Sequence, residues 1–340
     1  MELLRPKLAI VCEASPTIGI GHITRCLYLA SEIKNTRDWQ VHFFADNYLH
    51  NWIEKEIQIL GFELHRRTDL INQIENRSSK FDFLFTDSLE DNVQLLNSAR
   101  KSGTSIFQLL NSSTQINQID IFISPGIAPD WVNRNLLTAQ NYYGGLDYLI
   151  LPRQILEKID FKRKIPKKIV ISLGGSNTSI LVNNILEFLN KFSPGSQVVV
   201  FTDYPIKEAN EIFQNLKIQF LEIKNEFLYE MSDCAGIICG SGTTIFQVIY
   251  SRKLFLNLLV ANNQLSNFYY VKKNQVGIAI TANFMNVHNE QEAFLDFIMR
   301  LEKSNPPGNP KLEFDLQGAE RIINLMEATL SPSNQGSRPN

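Results

Sequence analysis

Residues 7–34 read "KLAIVCEASPTIGIGHITRCLYLASEIK". The stretch contains the smallest unit of the fold. Its first seven residues are an apolar run of strand length. A small, polar loop carrying Gly19 and Gly21 follows. From His22 onward, Ile23, Cys26, Leu27, Ala30 and Ile33 recur at the spacing of one helix face. Strand, glycine loop and helix follow one another, with a histidine and an arginine three residues apart where the helix opens.

The same alternation continues outward. Strand-like runs stand at 41–45, 62–66, 81–87, 105–110 and 119–125, with helical stretches between them. The run at 119–125 reads as the last strand of this half. A basic, proline-bearing segment, "EKIDFKRKIPKK" (157–168), follows, and the pattern restarts at 168–175, 197–203, 218–223, 235–240, 254–259 and 276–280. Short apolar strands alternating with amphipathic helices predict parallel sheets covered on both faces. The expected fold is α/β, with two Rossmann-like doubly wound domains. The first is placed at residues 1–155 and the second, nucleotide-binding one at 156–330, with a disordered tail at 331–340. In such sheets ligands bind at the carboxyl ends of the strands. Two domains facing a cleft would place the site there.

Composition bounds the function. The chain has 340 residues, 44% hydrophobic and 20% charged, with a formal net charge of -2. Two domains are natural for that length, and no basic excess suggests nucleic acid as a partner. Cys12, Cys26, Cys234 and Cys239 form no CxxC pair and sit in or beside apolar runs, as buried free thiols do. The five histidines show no HxxxH or HxH spacing, so no metal site is expected. No signal sequence or membrane span is read, which predicts a cytoplasmic protein. The oligomeric state is not legible.

Three loops carry unusual chemistry. In the first, Gly21 and the helix start behind it suit an anion, because free N–H groups and the positive end of the dipole point there. That dipole would disfavour protonation of His22 and favour a proton-accepting imidazole. Arg25 would meet a phosphate or carboxylate. An ordinary turn with an exposed histidine and arginine is the plainer alternative. In the second loop, "SLGGSNTS" (172–179), Gly174 and Gly175 free the backbone. Ser176 and Asn177 either offer donors to a ligand or cap the helix. The third, "CGSGTTIFQV" (239–248), presents Gly240, Ser241, Gly242, Thr243 and Thr244. Its backbone N–H groups and hydroxyls suit a diphosphate, it lacks the lysine of a Walker A loop, and a tight turn into a helix is the plainer alternative. Asn263 and Gln264, in "VANNQLSN" (260–267), are amides that would read sugar hydroxyls or cap a helix.

Taken together these loops resemble the PseG family of nucleotide-sugar hydrolases, which have the GT-B architecture. They also share the C-terminal layout of the glycosyltransferase that makes lipid II. "GIGHITRC" (19–26) looks like the family's GxGHxxRC motif, and "YGGLDYLILPRQI" (143–155) like its segment joining the domains. "ISLGGSN" (171–177) looks like its GGSD-type loop, and "EMSDCAGIICGSGTTIFQV" with "ANNQ" like its GSTTWE and NQ run. The resemblance implies hydrolysis of a UDP-amino sugar, UDP-2,4-diacetamido-2,4,6-trideoxy-β-L-altropyranose, on the way to pseudaminic acid. The anomeric C–O bond would break with inversion, with neither metal nor cofactor. His22 would act on the water and Gly240–Thr244 would hold the diphosphate. Asp87 sits where the family has an aspartate that would face the sugar, although a strand-end aspartate is often a helix cap. Gln247 stands where the family has the glutamate that holds the ribose. The family's acidic pair is here "NSS" (111–113). A GT-B glycosyltransferase using the same donor is the alternative.

Overall fold

The structure is a computed structural model. It describes residues 5–13, 20–45, 51–76, 80–88, 92–110, 118–128, 141–174, 177–222, 226–302 and 314–330. These divide into two compact units.

The first unit carries strands β1 (Lys7–Cys12), β2 (Gln40–Ala45), β3 (Glu63–Arg66), β4 (Phe83–Asp87), β5 (Ser105–Leu109), β6 (Ile121–Pro125) and β7 (Tyr142–Gly145). They interleave with helices α1 (Gly21–Thr36), α2 (Asn51–Ile59), α3 (Arg67–Glu75) and α4 (Val93–Lys101). The sheet order is β3-β2-β1-β4-β5-β6-β7, and every pairing is parallel. β4 and β5 are buried along their whole length, as expected of strands covered on both faces. Helix α1 buries Ile23, Cys26, Leu27, Ala30 and Ile33, the stripe read from the sequence, together with Leu29 and Glu32. The sequence reading ended this sheet at 119–125. β7 adds a seventh strand made of Tyr-Tyr-Gly-Gly, none of it fully buried. Its two glycines carry no side chain to signal a strand, and edge position requires no apolar run.

The second unit is built on Gln154–Glu313. Its strands are β8 (Lys168–Ser172), β9 (Gln197–Phe201), β10 (Lys217–Leu221), β11 (Gly236–Gly240), β12 (Phe255–Leu259) and β13 (Ile278–Thr281). Its helices are α5 (Arg153–Leu156, which opens at the boundary), α6 (Ser179–Phe192), α7 (Ala209–Ile212), α8 (Glu226–Asp233), α9 (Thr244–Ser251), α10 (Leu265–Asn274) and α11 (His288–Leu301). The sheet order is β10-β9-β8-β11-β12-β13, again parallel throughout. Its core joins Ile169, Ile171, Ile185, Leu189, Val200, Ile238, Leu256, Phe294 and Phe297.

The last helix, α12 (Gly318–Leu330), corrects the expected domain boundary. The sequence reading placed 156–330 in one domain, yet the stretch from Phe314 belongs to the first unit. Ala319, Ile322, Ile323 and Met326 are buried there. Arg37 at the end of α1 holds Glu320 at 2.9 Å and Glu327 at 2.6 Å. Arg321 donates to the Asp147 carbonyl at 2.9 Å. A returning C-terminal helix leaves no local signal, because its partners are remote in the chain. Gly318 is what lets it dock: a Cβ there would overlap the backbone of Leu149. Gly318→Ala is expected to lower the stability of the first unit by about 1–3 kcal/mol through overpacking. Thermal denaturation checks this, and an unchanged midpoint would show that the contact has slack. The segment 331–340 and "NSS" at 111–113 lie outside the described residues.

Candidate functional site

Each sheet reverses its strand order once. In the first the reversal falls between β1 and β4, and in the second between β8 and β11. Loops leaving the carboxyl ends on either side of such a point splay apart and open a crevice for ligand. The loops singled out in the sequence leave β1, β8 and β11, and Asp87 closes β4 in register with Cys12 of β1.

In the first unit, α1 starts at Gly21 and sets His22 and Arg25 one turn apart. Both reach Asp87. His22 Nδ1 lies 2.6 Å from Asp87 Oδ1. Arg25 Nη2 donates to Oδ1 at 2.6 Å, and Arg25 Nε donates to Oδ2. Asp87 is 1% exposed. Burial pushes its carboxyl up. Arg25 and then His22 outweigh that and draw it down to about 2. Asp87 is therefore a carboxylate near neutral pH and can only accept hydrogen bonds. The proton between it and the imidazole must sit on Nδ1. In the neutral ring, Nε2 then carries the lone pair. Arg25 Nη2 also lies 3.2 Å from Nδ1, but two donors face each other there and no hydrogen bond joins them.

Asp87 thus behaves as neither alternative read from the sequence. It does not cap α4, since Asn92 does so by accepting from the Leu95 N–H at 3.0 Å. Both its oxygens are engaged by His22 and Arg25, so it orients these side chains and offers no face to a sugar. Cys26 Sγ lies 3.9 Å from it. Burial, with Cys12 and Asp87 beside it, pushes the Cys26 thiol well up, so this unit holds no thiolate nucleophile at that point. A Cβ on Gly21 would meet nothing within 4 Å.

In the second unit, Gly174 has φ +104. Gly175 and Ser176 lie outside the described residues. Asn177 Oδ1 accepts from the Ser179 N–H at 3.2 Å and the Ser179 hydroxyl at 2.8 Å, a capping arrangement at the start of α6. In the third loop the five residues divide their roles. Gly240 passes so close to the preceding loop that a Cβ would stand 2.9 Å from the Leu173 carbonyl. Ser241 is fully buried, and its hydroxyl lies 3.0 Å from both Asn257 Oδ1 and the Leu258 carbonyl. Its N–H donates to Leu258 at 3.1 Å. Ser241 therefore braces the loop and does not present donors to a ligand. That corrects its expected role: a serine directly after a buried strand end satisfies the neighbouring strand first. Gly242, Thr243 and Thr244 are half-buried at the start of α9. Gln247 lies one turn on, on the same helix face as the two threonines, and is 6% exposed.

Asn263 is exposed and Gln264 half-buried. The Gln264 amide nitrogen comes within 3.7 Å of the Cβ position of Gly242. Its Oε1 is buried with no hydrogen-bond partner among the described residues, as is Asn257 Nδ2. Asn267 Nδ2 donates to the Ser241 carbonyl at 3.0 Å and ties α10 to the loop. The sequence reading missed Asn257 and Asn267. Asn257 had a signal, a lone amide inside the apolar strand "LFLNLL"; Asn267 had none.

Four free cysteines are buried, as read. Among the described residues no helix is long and apolar enough to cross a membrane.

No family model matches the chain. An uncharacterized protein of Methanocaldococcus jannaschii is 24% identical over 263 residues, 72% of this chain and 54% of that protein. The chain thus spans about half the length of the curated relative it matches. Among solved structures, MurG of Acinetobacter baumannii superposes with a TM-score of 0.56 at 12% identity, over 95% of this chain and 99% of that one. The UDP-GlcNAc 2-epimerase of Methanocaldococcus jannaschii, solved with UDP-GlcNAc and UDP, gives 0.60 at 13%, over 95% and 99%. Staphylococcus aureus MnaA, solved with UDP, gives 0.59 at 13%, over 98% and 99%. At these identities the likeness is one of fold. The two parallel sheets with interleaved helices are the two-domain α/β fold of the GT-B class.

Proposed function

We propose that this protein hydrolyses a UDP-linked amino or deoxy sugar at the anomeric C–O bond, releasing UDP and free sugar for a pseudaminic-acid-like surface glycan. The observation that carries the reading is the Asp87–His22 pair. A buried carboxylate fixes Nδ1–H and leaves Nε2 as a base at a helix start.

In this reading Nε2 takes a proton from water as its oxygen bonds to the anomeric carbon. The C–O bond to the diphosphate breaks on the opposite face, and its electron pair leaves with UDP. Asp87 stabilises the imidazolium formed meanwhile. The charge developing on the diphosphate is met by the N–H groups of Gly242, Thr243 and Thr244 and by the dipole of α9. Gln264 supports a polar ligand beside this loop. A buried acceptor without a partner costs about 1–3 kcal/mol, which a ligand donor would return. Gln247 would bond the ribose through a neutral amide. The likeness to structures solved with UDP supports the choice of nucleotide.

The test is UDP release from a panel of UDP-amino sugars with no acceptor present. Release by the wild-type chain supports hydrolysis. Release only after a sugar or lipid acceptor is added would replace it with glycosyl transfer. The loop is tested separately by UDP binding. Thr244→Ala is expected to weaken UDP binding about tenfold or more, the loss of one hydrogen bond to a charged group. Calorimetric titration reads this directly, and unchanged affinity would remove the loop from the site.

A further inference from the structure

The outer edge of the first sheet gathers a second set of chemistry-bearing side chains. His42 of β2 stands in register with Glu63 of β3, and Phe44 with His65. Side chains alternate along a strand, so His42, Glu63 and His65 project from one face. Their donor atoms converge. Glu63 Oε2 lies 3.1 Å from His42 Nδ1 and 3.1 Å from His65 Nε2. The two ring nitrogens are 3.5 Å apart.

We propose that His42, Glu63 and His65 bind a divalent late transition ion of the zinc type and clamp the edge strand β3 to β2. The spacing carries the argument. Tetrahedral zinc with bonds of about 2.0–2.1 Å holds neighbouring ligand atoms about 3.3–3.4 Å apart. The three edges bracket that length, so one ion is within bonding reach of all three atoms. Two imidazoles and one carboxylate are a borderline-soft set that suits zinc and its neighbours and disfavours magnesium. The rings are held in place by packing. His65 stacks on Phe44 at 5.1 Å between centroids, and His42 meets Phe81 edge-on at 5.5 Å. Glu63 is exposed, so a fourth position stays open to water. No metal site was expected because the histidines lack HxxxH or HxH spacing; these ligands come from two strands, which local spacing does not reveal. The alternative is a hydrogen-bonded cluster in which Glu63 accepts from both rings.

The experiment uses the full chain, free of any histidine tag and stripped of metal by chelator. Zinc is titrated calorimetrically, and the thermal midpoint is read with and without it. The expected result is one equivalent of zinc per chain and a raised midpoint. Glu63→Gln and His65→Gln are each expected to lose at least about tenfold in affinity, together with the rise in midpoint. Glu63→Gln keeps hydrogen-bonding capacity and controls for folding. Substoichiometric uptake by the wild-type chain overturns the proposal. So does zinc binding undiminished in both variants, which would place the ion elsewhere on the chain. The UDP-release reading does not depend on either outcome.

Discussion

His22→Ala is expected to reduce UDP release by about 10²–10⁴-fold, the usual contribution of a positioned general base. In the proposed reaction the loss falls on kcat, because His22 would act on water and not on the nucleotide. The affinity for UDP is expected to stay within about threefold of wild type, well under the tenfold that a lost charged hydrogen bond produces. Folding is expected to survive. His22 retains some exposure, and Asp87 keeps its two hydrogen bonds from Arg25 after the imidazole is gone. Steady-state kinetics and UDP titration on the same preparation separate the two effects. A rate within threefold of wild type would mean that another group activates the water. His22→Gln sharpens the test: it keeps polarity and bulk at the helix start but cannot take a proton. It is expected to be as slow as the alanine variant.

Much of this was legible because parallel α/β domains write their pattern locally. Each strand is an apolar run and each amphipathic helix repeats its stripe, so Ile23 to Ile33 were readable as a buried face. The loops were readable for the same reason, since glycine, serine and threonine cluster where a strand end gives way to a helix start. What was not legible depends on partners remote in the chain. Asp87 was visible as a strand-end aspartate, but its engagement by His22 and Arg25 follows from β4 pairing with β1. Ser241 looked like a ligand donor until Asn257, on the next strand, claimed its hydroxyl. α12 has an ordinary amphipathic pattern, and nothing in that pattern says which unit its apolar face will cover. β7 was missed because two of its four residues are glycines.

Asp87→Ala is expected to destabilise the first unit strongly. It removes one partner of a buried ion pair and leaves the Arg25 guanidinium uncompensated, which costs about 3–5 kcal/mol. For a unit of this size the thermal midpoint should fall by about 6–20 °C. The pH dependence distinguishes a lost charge from a lost side chain. The Asp87 carboxyl is drawn down from 3.8 to about 2 in the folded chain. A group whose folded value is depressed contributes stability above its unfolded value and loses it as pH falls toward the folded one. The depression corresponds to about 2 kcal/mol, present above about pH 4 and lost between about pH 4 and pH 2. The gap in stability between wild type and Asp87→Asn is therefore expected to be widest at neutral pH and to narrow over that window. Urea unfolding at a series of pH values measures it. A gap that stays constant from pH 7 to pH 3 would show that shape, not charge, holds the site together. Activity adds an independent reading. The asparagine side chain of that variant can donate as well as accept, so Nδ1–H is no longer enforced and Nε2 loses its fixed role as acceptor. At neutral pH and a temperature where Asp87→Asn remains folded, kcat should fall while UDP affinity holds. A variant that is less stable yet fully active would limit Asp87 to holding α1 against β4.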